Sequence, residues 1–298
     1  MRKKKENSVS FGTILILIMI LAGMTLSSCM FVYPGLADTF SQLHTADMVR
    51  GYIDGISSQP GERIERERKK ASEYNRALTE EREISPFHYM GAEASDSMYE
   101  SCLSFDDSME MCYIDIPDID VYLPVTHGTG SGPMRYECGH MYGTSLPVGG
   151  NSTHAVIAGH TGLRNAKIFT DLVRMKKGQE FYIHILGETH VYKIDSIKTV
   201  LPEEADDELQ IRKGQDLVTL YTCTPYGIND HRLLVRGVRV YPDLTDDIGS
   251  GAVLINERRN RSLIMKAVFY LMVPAVVFVT GLILTKKSLK KGETDENN

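Results

Sequence analysis

The chain has 298 residues, 42% of them apolar and 24% charged, a composition that suits one or two folded domains and excludes disorder throughout. A net charge of −6, from 33 Lys plus Arg against 39 Asp plus Glu, leaves no basic stripe for a phosphate backbone and argues against nucleic acid as a partner.

Residues 1–10 read as a basic tail with Arg2, Lys3, Lys4 and Lys5. Phe11 to Tyr33 carries no charged side chain. At about 1.5 Å rise per residue it covers a hydrocarbon layer of about 30 Å, so 11–33 is predicted to be a transmembrane helix, longer than a signal-peptide core. No Lys or Arg follows until Arg50, and this positive-inside bias puts the N-terminus in the cytoplasm. A competing reading takes Leu26-Ser-Ser-Cys29 as a lipoprotein cleavage site with Cys29 lipidated, but Met30-Phe-Val is more apolar than a mature lipoprotein start. A second uncharged run, 267–285, tolerates Pro274 in a membrane helix and has Lys266 to snorkel to the interface. Basic residues flank it on both sides, so the first helix sets a two-pass topology, with an extracytoplasmic domain and a cytoplasmic tail at 286–298.

Between the spans, 34–84 is predicted to be a helical extension. Thr39 to Ile56 and Glu62 to Glu83 form its helices, the latter rich in Glu, Arg and Lys like a solvated face. Ser85-Pro-Phe-His-Tyr-Met-Gly91 breaks the helix, and 85–110 reads as a lid and linker. From Met111 the pattern changes to short β-rich runs, at Tyr113–Ile116, Val121–Leu123, His154–Ala158, Glu180–Ile185, His190–Ile194, Asp216–Thr222 and Leu233–Arg236. Seven or more such strands predict a mainly β domain, a closed barrel or sandwich over 111–245, interrupted only by a helical period at Lys167–Val173. Residues 246–266 are a linker to the second span.

Cys29 lies in the first span, and Cys102, Cys112 and Cys138 read as small, half-buried apolar residues, with one disulfide among them left open. Cys223 differs. It ends the most apolar strand, where Thr224-Pro-Tyr-Gly227 forces a turn, and a thiol at a strand terminus beside a loop is reachable. His160, between glycines in Ala158-Gly-His-Thr-Gly-Leu163, ends another apolar strand, with His231 as its rival. Arg232 leads a third strand, whose alternation puts Arg232, Leu234 and Arg236 on one face and His231, Leu233 and Val235 on the other, so His231 and Arg232 cannot both face Cys223. Singly, each is more often structural: a core thiol, a surface imidazole, an edge charge paired with Asp230 or Asp216. Together they supply an activated nucleophile, a proton carrier and a cation for an acyl-transfer oxyanion. The acidic run Glu203–Glu208 has no spacing of a dedicated calcium site and reads as a solvated loop, so neither metal nor cofactor is expected.

Thr219-Leu-Tyr-Thr-Cys-Thr-Pro-Tyr-Gly-Ile-Asn-Asp-His-Arg-Leu-Leu-Val-Arg-Gly237 closely resembles the cysteine-to-arginine signature of class C sortases, the pilin polymerases of Gram-positive bacteria. Gly143 to His160 resembles the segment leading to that family's histidine, and Leu123-Pro-Val-Thr-His-Gly-Thr129 an earlier core strand. The resemblance runs from about Ala71 to Tyr241, and two flanking spans suit class C. It implies an eight-stranded sortase-type β-barrel with added N-terminal helices as the catalytic domain. Cys223 would be the nucleophile toward the Thr–Gly bond of a Leu-Pro-x-Thr-Gly sorting signal, His160 the general acid and base, and Arg232 the oxyanion partner. The implied partners are pilin subunits with C-terminal sorting signals, and an acceptor Lys that resolves the acyl-enzyme as an isopeptide. Peptidoglycan anchoring and non-catalytic signal binding are the alternatives. The sequence departs from the family at two places: the Asp-Pro-aromatic lid reads Ser85-Pro86-Phe87, without the carboxylate, and the residue after the histidine, often Arg, is Thr161.

Overall fold

The structure is a computed structural model, and it describes residues 11–80, 97–105, 110–130, 136–163, 166–241 and 248–295. The lid residues Ser85, Pro86 and Phe87 lie outside these. The chain divides into two compact units, one formed by residues 1–40 with 258–298 and the other by residues 41–257.

In the first unit, helix α1 (Phe11–Ser57) begins and helix α5 (Ile248–Asp295) ends. Both are long and apolar enough to cross a membrane, over Leu15–Ser57 and Arg261–Lys286. Their apolar side chains stay uncovered by protein, as with Phe31 at 88% exposure. The two helices approach closely where side chains are absent, Gly281 against Leu21 and Gly35 against the Tyr270 ring. Helix α1 runs through Pro34 and does not stop at residue 33. The stretch 246–266, read as a linker, is helical from Ile248.

The second unit is a barrel of eight strands: β1 (Glu110–Ile116), β2 (Val121–His127), β3 (Cys138–His140), β4 (Thr153–Ala158), β5 (Glu180–Ile185), β6 (Glu188–Val200), β7 (Asp216–Thr224) and β8 (His231–Val240). It closes in the order β1-β2-β3-β4-β7-β8-β6-β5. Closure removes every free strand edge, which is what lets short, strongly apolar strands stay soluble. Two pairings are parallel, β2 with β3 and β4 with β7. The second of these matters most, because it lays two non-consecutive apolar strands side by side with their C-terminal ends at the same end of the barrel.

Period-2 alternation sorts the side chains of β4, β7 and β8 into two layers. Ala155, Ile157, Val218, Leu220, Leu233 and Val235 join the main core. Val156, Ala158, Tyr221 and Leu234 face the other way and form a smaller cluster with Met141, Ala205 and Leu209. Ala205 and Leu209 belong to a short helix α4 (Ala205–Leu209), one turn apart and so on one face. Here the expected loop is corrected: the acidic run is helical, with Glu208 paired to Lys198 at 2.5 Å and Arg212 at 3.7 Å, while the apolar positions cover the outer face of the sheet. Lys167–Val173 forms a 3-10 turn over Thr170–Arg174.

Helix α1 ends, and helix α2 (Gly61–Glu80) lies, against the barrel. The Tyr52 hydroxyl donates to the Met111 carbonyl at 3.1 Å and accepts from the Leu186 amide at 3.1 Å. Asn75 clasps the Leu146 backbone through both its amide atoms, at 2.7 and 3.0 Å. A short helix α3 (Ser97–Ser101) buries Tyr99 completely. No disulfide links any of the five cysteines, all of which are described. Cys112 and Cys138 flank Val125 from opposite neighbouring strands. Two strand spacings of about 4.8 Å separate their backbones, more than the roughly 7 Å a disulfide spans.

Candidate active site

Strand β7 carries Cys223 and strand β8 carries Arg232, and the two residues are direct partners in the antiparallel ladder. Opposed residues in such a ladder present their side chains to the same face. Cys223 lies two residues beyond Tyr221 and Arg232 two before Leu234, so both belong to the outer layer, beyond the cluster that α4 covers. Cys223 is half-buried.

His160 arrives from β4 by the parallel register. The last paired residues are Ala158 and Tyr221, and the ladder continues informally, with the Gly159 amide donating to the Tyr221 carbonyl at 3.0 Å. Strand β4 ends at Ala158, and the same register carried two residues further would set His160 level with Cys223. Gly159 is required here. A Cβ at this position would sit 2.6 Å from Cδ2 of Phe169 and 3.0 Å from Cγ2 of Ile168, both buried in the main core. Gly159 therefore faces inward, and continued alternation would turn His160, next along the chain and exposed, to the outward side. Its carbonyl accepts from the Phe169 amide at 3.1 Å, which ties the loop back to the core. The Thr222 hydroxyl, itself buried, donates to the Gly159 carbonyl at 2.7 Å and locks β4 to β7 one residue before the pair of interest.

Arg232 is held by the loop it follows. Pro225 to Asn229 forms a tight turn in which the Ile228 and Asn229 amides donate to the Pro225 carbonyl at 3.1 and 2.9 Å. Asn229 adopts φ of 63°, a left-handed conformation that Asn tolerates better than most residues. Its carbonyl and that of His231 then accept from Nη1 of Arg232, at 3.0 and 3.1 Å. The carboxylates weighed as partners for Arg232 are engaged elsewhere: Asp230 with Nδ1 of His231 at 2.8 Å, Asp216 with the Tyr192 hydroxyl and the Gly150 amide at the other end of β7. His231 pairs with Thr224 in the ladder, on the opposite face from Arg232. The ladder thus takes His231 off the face that Cys223 and Arg232 share.

Two loops close over this end of the barrel. Gly162, at φ of 77°, lies under Tyr226: its would-be Cβ is 3.3 Å from the Tyr226 ring. The loop after His160 and the loop after Cys223 therefore touch. Tyr226 and Ile228 remain exposed, giving this end of the barrel an apolar rim.

The sequence reading passed over Tyr221 and Thr222. Tyr221 is 3% exposed and reaches the Arg232 side of the outer layer. Burial pushes its phenol up to about 12, with the Arg232 charge acting the other way. The signal was present in the strand period, since Tyr221 and Cys223 are two apart. Among the described residues no group of three or more His, Cys, Asp or Glu side chains is arranged to hold a metal ion.

The Sortase domain family matches residues 114–240. Among solved structures, the chain is similar to sortase C-1 from Actinomyces oris, with 46% identity and a TM-score of 0.55 over 60% of this chain and 99% of that one. It is also similar to sortase C1 from Streptococcus agalactiae, with 39% identity and a TM-score of 0.60 over 66% of this chain and 100% of that one. Curated relatives include Sortase A from Streptococcus agalactiae, 31% identical over 114 residues, and Sortase A from Staphylococcus aureus, 35% identical over 126 residues. The matches span 37% and 41% of this chain, and 45% and 58% of those two relatives, about half their length. A closed eight-stranded barrel, together with 46% identity across nearly the whole of one solved sortase C, leads to one assignment: the chain belongs to the sortase family, and its close structural matches are class C sortases.

Proposed function

We propose that the protein is a membrane-anchored cysteine transpeptidase of the class C sortase type, joining pilin subunits outside the cytoplasmic membrane. The observation that carries this reading is the direct pairing of Cys223 with Arg232 across β7 and β8, with His160 two residues past the end of β4, the parallel neighbour of β7. An acyl transfer needs a nucleophile, a proton carrier and a cation at the developing oxyanion, the roles this reading gives to Cys223, His160 and Arg232.

In this mechanism Sγ of Cys223, as thiolate, attacks the Thr carbonyl of a Leu-Pro-x-Thr-Gly-like signal. The C–S bond forms, and the carbonyl oxygen takes the negative charge, opposite the Arg232 guanidinium. Collapse breaks the Thr–Gly bond, and His160 gives its proton to the departing glycine amine. The thioester then meets a Lys amine of a second pilin. His160 takes the amine proton, the C–S bond breaks, and an isopeptide remains with the thiolate restored. Water in place of the amine gives hydrolysis as the leak. The apolar rim of Tyr226 and Ile228 suits a signal with Leu and Pro ahead of the scissile bond. The two apolar helices, with basic residues at the N-terminus, suit anchoring at both ends of the barrel domain.

The test uses the full-length chain in detergent micelles, incubated with a Leu-Pro-x-Thr-Gly peptide and weighed intact by mass spectrometry. The parent should gain the mass of the acyl fragment and Cys223→Ala should not. Added pilin carrying the acceptor Lys should discharge the adduct into a cross-linked product. Discharge to a peptidoglycan amine instead would make the protein an anchoring sortase. Peptide binding without any adduct would leave a signal-binding module.

A further inference from the structure

Among the described residues, two buried polar atoms in the outer layer, Oη of Tyr221 and Nε of Arg232, have no hydrogen-bond partner, although the two side chains lie near enough that, against the larger effect of burial, Arg232 draws the phenol down. Buried donors of this kind are rare, and each needs an explanation. These two lie on adjacent strands, one ladder step apart on the same face, since Tyr221 opposes Leu234 while Cys223 opposes Arg232. The rest of the guanidinium shows why the Nε edge is free. Nη1 is committed to the Asn229 and His231 carbonyls, which ties one end of the group to the backbone. The Tyr221 ring has its own support. It is clamped among Met141, Val156, Ala158, Ala205, Leu209 and Leu234.

We propose that Tyr221 is a positioning residue for Arg232, its phenol oxygen accepting from the Nε–H when an anionic oxygen draws on the guanidinium. A rigid phenol beneath a guanidinium anchored only at Nη1 fixes the plane of the charged group above the Cys223 strand. The edge not taken by backbone carbonyls is then held toward the reacting carbonyl. The phenol stays neutral at physiological pH, since burial raises it to about 12, so it acts as an oriented dipole rather than as a competing anion. Tyr221 touches no reacting atom in this arrangement and works through Arg232 alone.

The inference rests on the transpeptidase reading above, and the experiment separates the two. Full-length protein in micelles is compared with Tyr221→Phe, Arg232→Lys and the double variant, reading single-turnover acyl-enzyme formation against peptide concentration. Alkylation of Cys223 across pH and the thermal midpoint are read alongside. Tyr221→Phe keeps the ring and the cluster. It should lower the acylation rate by about tenfold, somewhat less than loss of a whole oxyanion donor, with half-saturation changed by less than about twofold. The alkylation profile and the midpoint should not move, and the double variant should be no slower than Arg232→Lys. Parental rates in Tyr221→Phe would overturn the proposal. So would multiplying losses in the double variant, or a fall in rate that tracks a fall in midpoint. A parent chain that forms no adduct would sink the transpeptidase reading itself, and the role of Tyr221 with it.

Discussion

Cys223 and Arg232 face each other across the β7–β8 ladder, so the spacing of their Cβ atoms is set by backbone hydrogen bonds rather than by the reach of two loops. Directly opposed residues on antiparallel strands hold their Cβ atoms about 4.5–5.5 Å apart, and that spacing survives side-chain motion. The consequence is that the identity of the cation matters more than its presence. Arg232→Lys keeps the charge but loses the fork by which Nη1 reaches the Asn229 and His231 carbonyls. Acyl-enzyme formation should fall by about a hundredfold or more, as on loss of an oxyanion donor, with little change in thermal midpoint. Quench-flow sampling with mass detection measures this, and a Lys variant at parental rate would show that charge alone suffices.

Gly159 is the residue on which the placement of His160 turns. An added methyl would enter the space of Phe169 and Ile168, at 2.6 and 3.0 Å, where both side chains are buried. Overpacking of this kind costs about 1–3 kcal/mol. Gly159→Ala should therefore lower the thermal midpoint and, by pushing the end of β4 outward, slow acylation more than the stability loss explains. Coupling with Phe169→Leu, which opens room, should restore part of both. If the pair merely adds, the contact is not the cause.

Thr222 is silent to chemistry but not to geometry. Its hydroxyl donates to the Gly159 carbonyl at 2.7 Å in a buried site. Thr222→Val preserves shape and leaves that carbonyl unsatisfied, at a cost of about 1–3 kcal/mol. Thr222→Ser should recover most of the loss, in both chemical denaturation and acylation rate. Equal stability of Val and Ser variants would mean that the bond contributes nothing.

Much of this arrangement could be read from residue order alone, and the reasons are local. β-branched and aromatic alternation marks β4, β7 and β8, and it assigns Arg232 and His231 to opposite faces, as the ladder has them. What escaped was non-local. Strand β3, Cys138-Gly-His140, is three residues with a central glycine and no alternation, and it is held as a strand by its neighbours β2 and β4. The acidic run looked like a loop because helix propensity there is modest. Lys198 and Arg212 supply its countercharges, and the outer face of the sheet takes up Ala205 and Leu209. The Tyr221–Arg232 neighbourhood and the Thr222–Gly159 bond depend on which strands are adjacent and in what register. That is fixed by closure of the barrel, not by any single strand.

Four buried histidines predict how the fold responds to acid. His140, His154, His184 and His190 are lowered by burial from 6.5 to about 4. The His140 contacts show why a second proton is unwelcome: Nε2 donates to the Ser145 carbonyl at 2.8 Å, so Nδ1, 2.9 Å from the Tyr99 hydroxyl, serves as an acceptor. Each folded-state value lies below the unfolded one, so the stabilisation is present above pH 6.5 and is lost as pH falls toward 4. Each site is worth up to about 3 kcal/mol over that window, because the unfolded chain binds the proton first. Glu137, raised by burial and by Glu110 to about 7, works the other way between 4.5 and 7, and Asp216, raised by burial, does so at lower pH. Four sites against one across most of the window give a net loss. The thermal midpoint of the full-length chain should drop steadily from pH 6.5 to 4.5. His184→Phe keeps the stack on Tyr113, whose ring centroid lies 4.3 Å away, and removes one titrating group, so it should flatten the slope. A midpoint that holds or rises on acidification would show that these imidazoles take up protons in the folded state at their ordinary pH.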